Sequence, residues 1–459
     1  MECFKVYANE IEGRINPFYY KPEFRELEKE ISRLKTKKIE DISFELKNGS
    51  TPKGGVFKDS GIPYFRSQDF NLFDFEINQF IDEEFCKKLS RSIVKSGDVL
   101  VAVVGATLGI VGYVPENIQE ANINQNVVRI RVKDKEVNPK YLAVILSSKI
   151  GQKLILRNST IQTQAYINNS QLGKIKIPLP PLEIQNKIVQ LMDNAYSLKK
   201  SKEAEAQQLL DSIDNYVLDE LGIKILELKG RMTFVVNSDE VKNRRVDPCY
   251  YQPKFEEVEK AVKNGKFEVK ELKKFITKIH YGASVKNEYF DEGIPLLRIM
   301  NLKPNKFDLR DIVRLPESMR KDLGNAFVSE GDLLISRSGT VGVVSVVPKE
   351  AEGFAFGSFM IKFCLNDKIN KYYVSAWLNT KLQNLLTERE KIGAIQGNIT
   401  IETIENFKIP LPPLTVQNKI AEEVKRRMQK AKQLQEEAKT ILEEAKEKVE
   451  RIILGNKEI

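Results

Sequence analysis

A chain of 459 residues with 41% hydrophobic content is a soluble protein of two to four domains, each long enough to bury its own core. Lysine plus arginine (73) exceed aspartate plus glutamate (64), and the formal excess of nine favours a polyanionic partner without requiring one. One histidine, His280, and four scattered cysteines (Cys3, Cys86, Cys249, Cys364) with no metal-ligand spacing argue against zinc chemistry and histidine-based catalysis, and for reduced thiols in a cytosolic protein.

The chain begins Met1-Glu-Cys-Phe-Lys-Val6, with no apolar leader. Arg14-Ile-Asn-Pro-Phe-Tyr-Tyr-Lys-Pro-Glu-Phe24 follows, a segment that returns as Arg245-Val-Asp-Pro-Cys-Tyr-Tyr-Gln-Pro-Lys-Phe255. From about residue 35 to 180 the pattern predicts a mixed, strand-rich globule. Runs such as Val127-Val-Arg-Ile-Arg-Val132 alternate there with turn signals such as Asn48-Gly49. The apolar run Val99 to Val114 is sixteen residues, short for a membrane span, and its later partner Leu333 to Val347 carries Arg337 in the middle. Both therefore read as buried strands joined by a Gly-Thr turn. Leu142, Ile145, Leu146 and Ile150 predict a helix over Pro139 to Leu156.

The globule closes with Lys176-Ile-Pro-Leu-Pro-Pro-Leu-Glu-Ile-Gln-Asn-Lys-Ile188. Its prolines fix φ and withhold backbone donors, making a stiff strand-to-helix elbow. A helix of about 40 residues, roughly 60 Å long, is expected next. Its apolar seam is Ile184, Ile188, Leu191, Ala195, Leu198, Leu209, Ile213, Val217 and Leu221, interrupted by Lys202 and stopped by Gly222.

The second half repeats the first. Lys408-Ile-Pro-Leu-Pro-Pro-Leu-Thr-Val-Gln-Asn-Lys-Ile420 matches the first elbow at eleven of thirteen positions, 232 residues on. Gly61-Ile-Pro-Tyr-Phe-Arg66 answers Gly293-Ile-Pro-Leu-Leu-Arg298, and Ala106-Thr-Leu-Gly109 answers Gly339-Thr-Val-Gly342. A second globule is expected from about 267 to 412, with a strand at Phe359 to Leu365 and a helix over Lys371 to Leu386. The second long helix carries the seam Val416, Ile420, Val424, Met428, Ala431, Leu434, Ala438, Ile441, Ala445, Val449 and Ile452, ended by Gly455. A repeat this specific is one architectural unit used twice. The fold class expected is α+β: two strand-rich globules separated by two long helices, which pack as an antiparallel coiled coil with pseudo-twofold symmetry. Helices with so narrow a seam have little reason to stay folded alone.

Some apparent chemistry is misleading. Asn16-Pro-Phe-Tyr19 and Asp247-Pro-Cys-Tyr250 approach an adenine-gripping methyltransferase signature, but Phe18 and Cys249 stand where it has proline. They read as a structural turn repeated with the domain. No phosphate-binding Gly-x-x-x-x-Gly-Lys-[Ser/Thr] run exists, and Glu268-Val-Lys270 lacks the upstream Pro-Asp of a metal nuclease.

Two variable globules, each closed by a Pro-Leu-Pro-Pro-Leu elbow and a Gln-Asn-Lys-Ile helix, resemble the specificity subunit of type I restriction-modification enzymes. The likeness covers essentially the whole chain, including the turn Arg337-Ser-Gly-Thr-Val-Gly342, whose Arg-Ser pair is missing from Val104-Gly-Ala-Thr-Leu-Gly109. It implies an N-terminal segment (1–30), a target-recognition domain (31–181), a central helical region (182–230), a linker repeating the N-terminal segment (231–266), a second target-recognition domain (267–413) and a C-terminal helix (414–459). It also implies a cytoplasmic, non-catalytic protein without cofactor. Such a protein would bind double-stranded DNA, two modification subunits and two restriction/translocase subunits, with no membrane role. Two other assignments stay open: the recognition subunit of a two-subunit enzyme that cuts on both sides of its site, and a coiled-coil adaptor.

Sequence-specific DNA binding needs cations for phosphates and polar side chains for base edges. The loops that diverge between the halves hold both. In the first half these are Lys47, Asn48, Ser50, Thr51 and Lys53; Arg66 and Gln68, with Ser67 and Asp69; and Gln162, Gln164 and Tyr166, with Asn168. In the second half they are His280, Tyr281, Ser284 and Lys286; Arg298 and Asn301; Arg337; and Gln396 and Asn398. Arg66 and Arg298, after matching Gly-Ile-Pro turns, fit a scaffold ion pair equally well.

Overall fold

The computed structural model describes residues 4–7, 11, 16–51, 57–161, 163–224, 233–241, 245–285, 288–392 and 397–455. The chain divides into two compact units, Met1–Glu203 with Gln435–Ile459, and Ala204–Leu434. Both mix helix and strand.

In the first unit an antiparallel sheet runs in the order Ser43–Asn48, Val127–Val132, Val99–Ala102, Val111–Tyr113. A second sheet pairs Ile62–Phe65 in parallel with Ala121–Ile123 and antiparallel with Phe80–Ile81. Val99 and Val101 point into a core with Leu142 and Ile145, whereas Leu100 joins Phe65 and Phe70 in another. The strand is covered on both faces, which is why its sequence is apolar without alternation. The second unit repeats this with Ile276–Tyr281, Met360–Leu365, Leu333–Ser336 and Val344–Val346. Leu333 and Ile335 face Tyr373 and Trp377, while Leu334 faces Leu297 and Phe356. The turn after the buried strand needs glycine. Gly109 and Gly342 sit at φ +88° and +89°, and a Cβ on Gly109 would lie 2.6 Å from the Gln152 side chain.

The helix expected over Pro139 to Leu156 is two helices, Pro139–Ser147 and Lys149–Asn158. Ser148 breaks it by taking an extended backbone and accepting a hydrogen bond from Gly151 N at 3.2 Å. Thr380 does the same between Lys371–Leu378 and Lys381–Glu390, accepting from Gln383 N. Both are N-caps, whose side-chain oxygens satisfy an otherwise orphan helical N–H.

The elbows are locked identically. Thr36–Lys38 pairs with Lys176–Pro178, and Val269–Glu271 with Lys408–Pro410. Gln185 Oε1 accepts from Asn138 N at 2.9 Å and Gln417 Oε1 from Asn370 N at 2.8 Å. Asn138 Nδ2 and Asn370 Nδ2 donate to Asn186 Oδ1 and Asn418 Oδ1. Tyr141 and Tyr373 hydroxyls donate to the carbonyls of Pro178 and Pro410. The repeated Gln-Asn pair is thus the latch between globule and helix.

The long helices are Leu182–Leu221 and Leu414–Ile453, 40 residues each. Within the first unit Ile188, Met192 and Ala195 share a core with Ala445, Val449 and Ile452, and Lys202 Nζ pairs with Glu437. Within the second, Ala206 clusters with Ala431 and Leu434, and Arg427 donates to the Ser212 carbonyl and hydroxyl, both at 2.9 Å. One seam position departs from expectation: Leu198 is 47% exposed, and Val189, Met192 and Tyr196 are buried in its stead. Tyr196 meets the Phe73 ring edge-on at 4.9 Å, so the buried stripe turns toward the globule there.

The Asn-Pro and Asp-Pro segments are capped turns. Asn16 Oδ1 accepts from Phe18 N and Asp247 Oδ1 from Tyr250 N. Each turn is clasped by an arginine over a tyrosine ring, Arg157 on Tyr19 at 4.1 Å and Arg389 on Tyr250 at 4.4 Å. Glu268 and Lys270 are an ion pair at 3.0 Å.

Candidate nucleic-acid interface

In each unit the divergent loops leave the same end of the paired sheets, because a small set of backbone bonds ties them together. In the first unit Gly49 N donates to Val127 O and Ser50 N to Ile123 O, both at 3.0 Å. The approach is so close that a Cβ on Gly49 would lie 2.0 Å from Ile123 O. Asn124 N donates to Phe65 O, Val103 N to Asn126 O, and Gly105 N to Ala165 O. Thr107 Oγ1 donates to Ser67 Oγ at 2.9 Å. Five segments, near residues 48–51, 65–69, 103–107, 124–126 and 165–167, therefore form one surface.

The second unit is built alike. Gly282 N donates to Met360 O, Ser358 N to Ala283 O, Gly357 N to Leu297 O, Arg337 N to Phe359 O and Ile399 N to Arg337 O. These bonds correct the alignment of the turn. Arg337 and Val103 play the same backbone role, so the counterpart of the arginine is buried Val103 and not Val104.

Individual side chains divide into tied and presented groups. Lys47 Nζ pairs with Glu45 Oε2, and this hydrogen bond, with Arg129 behind it, holds the Glu45 carboxyl below its ordinary value. Arg66 grips Asp69 with both Nε and a terminal NH2 at 3.0 Å, and Asp69 is 2% exposed. Arg298 NH2 donates to Asp311 Oδ2 at 2.8 Å. Both arginines are thus engaged in the scaffold. Asn301, expected on the reading surface, is 2% exposed. Its Oδ1 accepts from Arg298 N, and its Nδ2 donates to the carbonyls of Asp308 and Asp311. It caps its loop as Asp69, whose Oδ2 accepts from Arg66 N at 2.8 Å, caps the other, and the Asn301 amide has no donor left for a base.

Thr51, Gln68 and Gln164 are exposed, while Asn48, Ser50 and Tyr166 are half-buried. Asn48 Nδ2 donates to Gln125 O at 3.2 Å, and Tyr166 exchanges backbone bonds with Thr160. Asn168 caps a short helix by accepting from Gln171 N. In the second unit Tyr281 and Ser284 are exposed and His280 is half-buried, beside a recess of about 390 Å³ shared with Asp322 and Asn325. The Arg337 guanidinium lies 4.7 Å over the Tyr281 ring, and its Nε is buried without a hydrogen-bond partner among the described residues. Asn398 exchanges backbone bonds with Ile392 at 2.9 Å. Lys53, Gln162, Lys286 and Gln396 lie outside the described residues.

Sequence reasoning missed the loop at 124–126 and its counterpart at 357–359. Gln125 and Phe359 are exposed at the centre of the two surfaces. The signal was available for the first: Asn124-Gln-Asn126 is a polar turn between apolar Ile123 and Val127. Among the described residues no helix is long and apolar enough to cross a membrane, and no group of three or more His, Cys, Asp or Glu could hold a metal ion.

Comparison with known proteins gives a consistent picture. The family described as type I restriction modification DNA specificity domain matches the chain twice, over residues 32–210 and 264–444. The EcoBI type I specificity subunit of Escherichia coli is 31% identical over 169 residues, 36% of this chain and 35% of that protein. The MjaVIII type I specificity subunit of Methanocaldococcus jannaschii is 25% identical over 209 residues, 44% of this chain and 48% of that protein. The matched stretch thus spans less than half of each relative. In fold, the chain is similar to one from a structural study of complex assembly and conformational transition in the type I R-M system. The TM-score is 0.55 at 15% identity, covering 92% of this chain and 98% of that one.

Proposed function

The chain belongs to the family of type I restriction-modification DNA specificity proteins, and on that premise we propose that it is the non-catalytic, sequence-reading subunit of a type I complex. Each unit reads one half of an asymmetric, bipartite site in double-stranded DNA with its loop surface. Residues 31–181 and 267–413 are the target-recognition domains. The segments 1–30, 182–230, 231–266 and 414–459 form the frame. The two long helices run antiparallel as a coiled coil, set the distance between the half-sites and dock two modification subunits, to which two restriction/translocase subunits are added in the cytoplasm.

The observation that carries this reading is the contrast between latch and loops. Gln185 and Gln417 each accept from an asparagine N–H and donate to a proline carbonyl at their elbows, while the converging loops differ in nearly every side chain able to meet a base. A common scaffold with two unlike surfaces is what an asymmetric duplex site requires. The seam contacts at Ala206, Ala431 and Leu434, and the Lys202–Glu437 pair, support the coiled coil.

The test is a methylome of cells carrying the chain with its modification subunit. Methylated adenines should fall in two different short half-sites separated by an unread gap, and a palindromic or continuous site would defeat the proposal. The purified chain alone should transfer no methyl group and cut no DNA.

A further inference from the structure

The two loop surfaces differ in one chemical sense at three of four pairs of backbone-equivalent polar or apolar positions. The fourth runs the other way: Tyr166 and Asn398 exchange backbone bonds with Thr160 and Ile392, and the next residues, Ile167 and Ile399, donate their N–H to Val103 O and Arg337 O. Among the three, Asn48 and Tyr281 end matching strands, opposite Val128 and Ile361. Gln68 and Met300 each lie two residues beyond an arginine, Arg66 or Arg298, whose N–H is capped by the side chain three ahead. Asn126 and Phe359 accept, through their carbonyls, from Val103 N at 2.8 Å and Arg337 N at 2.9 Å. At all three the first unit has an amide and the second an aromatic ring or a thioether.

Tyr281, Met300 and Phe359 are 42%, 50% and 52% exposed, outside every core cluster formed among the described residues of their unit. They surround the Arg337 turn: Tyr281 lies under the guanidinium, Phe359 accepts from the Arg337 N–H, and Ile299, next to Met300, lies against Gly339. Exposed apolar side chains gathered around one cation mark a place where a partner excludes water.

We propose that the two halves of the DNA site are read by different chemistry: adenine edges through amides in the first unit, thymine methyl groups through apolar contact in the second. This rests on the DNA-reading role above and adds the base class that each unit takes. An Asn or Gln amide matches the N6 donor and N7 acceptor of adenine, whereas the C5-methyl of thymine is the one apolar feature in the major groove.

The experiment uses the full chain and a pool of randomised duplexes. The selected site is resynthesised with deoxyuridine for each thymidine, which removes the methyl, and with 7-deazaadenine for each adenine, which removes the N7 acceptor. In one half-site deoxyuridine should weaken binding about fourfold per contacted methyl. Phe359→Ala and Met300→Ala should abolish that sensitivity at an unchanged melting temperature, since both side chains are half-exposed. In the other half 7-deazaadenine should weaken binding about tenfold, and Gln68→Ala should abolish that sensitivity. The proposal is overturned if both halves respond alike, or if the deoxyuridine effect survives in Phe359→Ala and Met300→Ala. A null deoxyuridine effect with strong loss of binding in Phe359→Ala would mean that the ring inserts between base pairs, and would overturn it too. If the pool yields no bipartite site, the functional reading itself fails and takes this inference with it.

Discussion

Truncating Gln185 tests the latch from which the repeated elbow takes its meaning. The side chain is 0% exposed and its amide makes three hydrogen bonds. Oε1 accepts from Asn138 N at 2.9 Å, and Nε2 donates to Glu136 O at 2.8 Å and Pro180 O at 2.9 Å. Each bond contributes about 1 kcal/mol net, and a buried N–H left unmade costs about 1–3 kcal/mol, so Gln185→Ala should destabilise the first unit by roughly 3 kcal/mol. In a unit of this size that lowers Tm by roughly 6–12 °C. Gln185→Glu should be worse than alanine, because a carboxylate keeps the acceptor but turns an oxygen toward two carbonyls. Gln417→Ala, with bonds of 2.8 Å from Asn370 N and to Pro412 O, should act on the second unit by about 2 kcal/mol. Thermal unfolding combined with hydrogen exchange at the Asn138 amide separates latch from bulk. A melting point within 2 °C of the parent, or an Asn138 amide still protected, would refute the reasoning.

Four residues inserted after Leu198, and four after Thr440 on the facing helix, add about 6 Å and roughly one turn to each. If the helices set the spacing, the methylome should show the same half-sites with a gap about two base pairs longer, and an unchanged gap would remove the helices from that role. Asn301→Ala should lower the melting temperature of the second unit without changing sequence preference, because its amide holds the loop; a changed preference at constant Tm would return it to the reading surface. Hydrogen bonds from Arg426 and Arg427 hold the Glu423 carboxyl at about 2. Its folded value lies below the unfolded one, so its stabilisation is present above pH 4.5 or so and is lost as pH falls toward 2. The gap in Tm between the parent and Glu423→Gln should therefore close across that window, and a gap constant from pH 7 to 2 would contradict the assignment.

The primary structure alone determined the repeat, the elbows, the buried strands and the length of the helices. These are local or near-local matters: proline restricts its neighbours, glycine meets a positive φ, and a fully covered strand stays apolar. Eleven identical residues of thirteen at the elbows reflect one latch that must be made twice. Only the tertiary structure decided which side chains face outward. Leu198 is exposed because the buried stripe turns toward Phe73, and Asn301 is hidden because its amide closes a loop ending at Asp311. The partnership of Arg337 with Phe359, and of Val103 with Asn126, follows from strand register. The reading surfaces are assembled from segments that meet across long stretches of chain, Ser67 with Thr107 and Asn48 with Gln125, 77 residues apart in the latter case. No periodicity within one segment records such a meeting, since it is set by sheet pairing and closed by a few backbone hydrogen bonds.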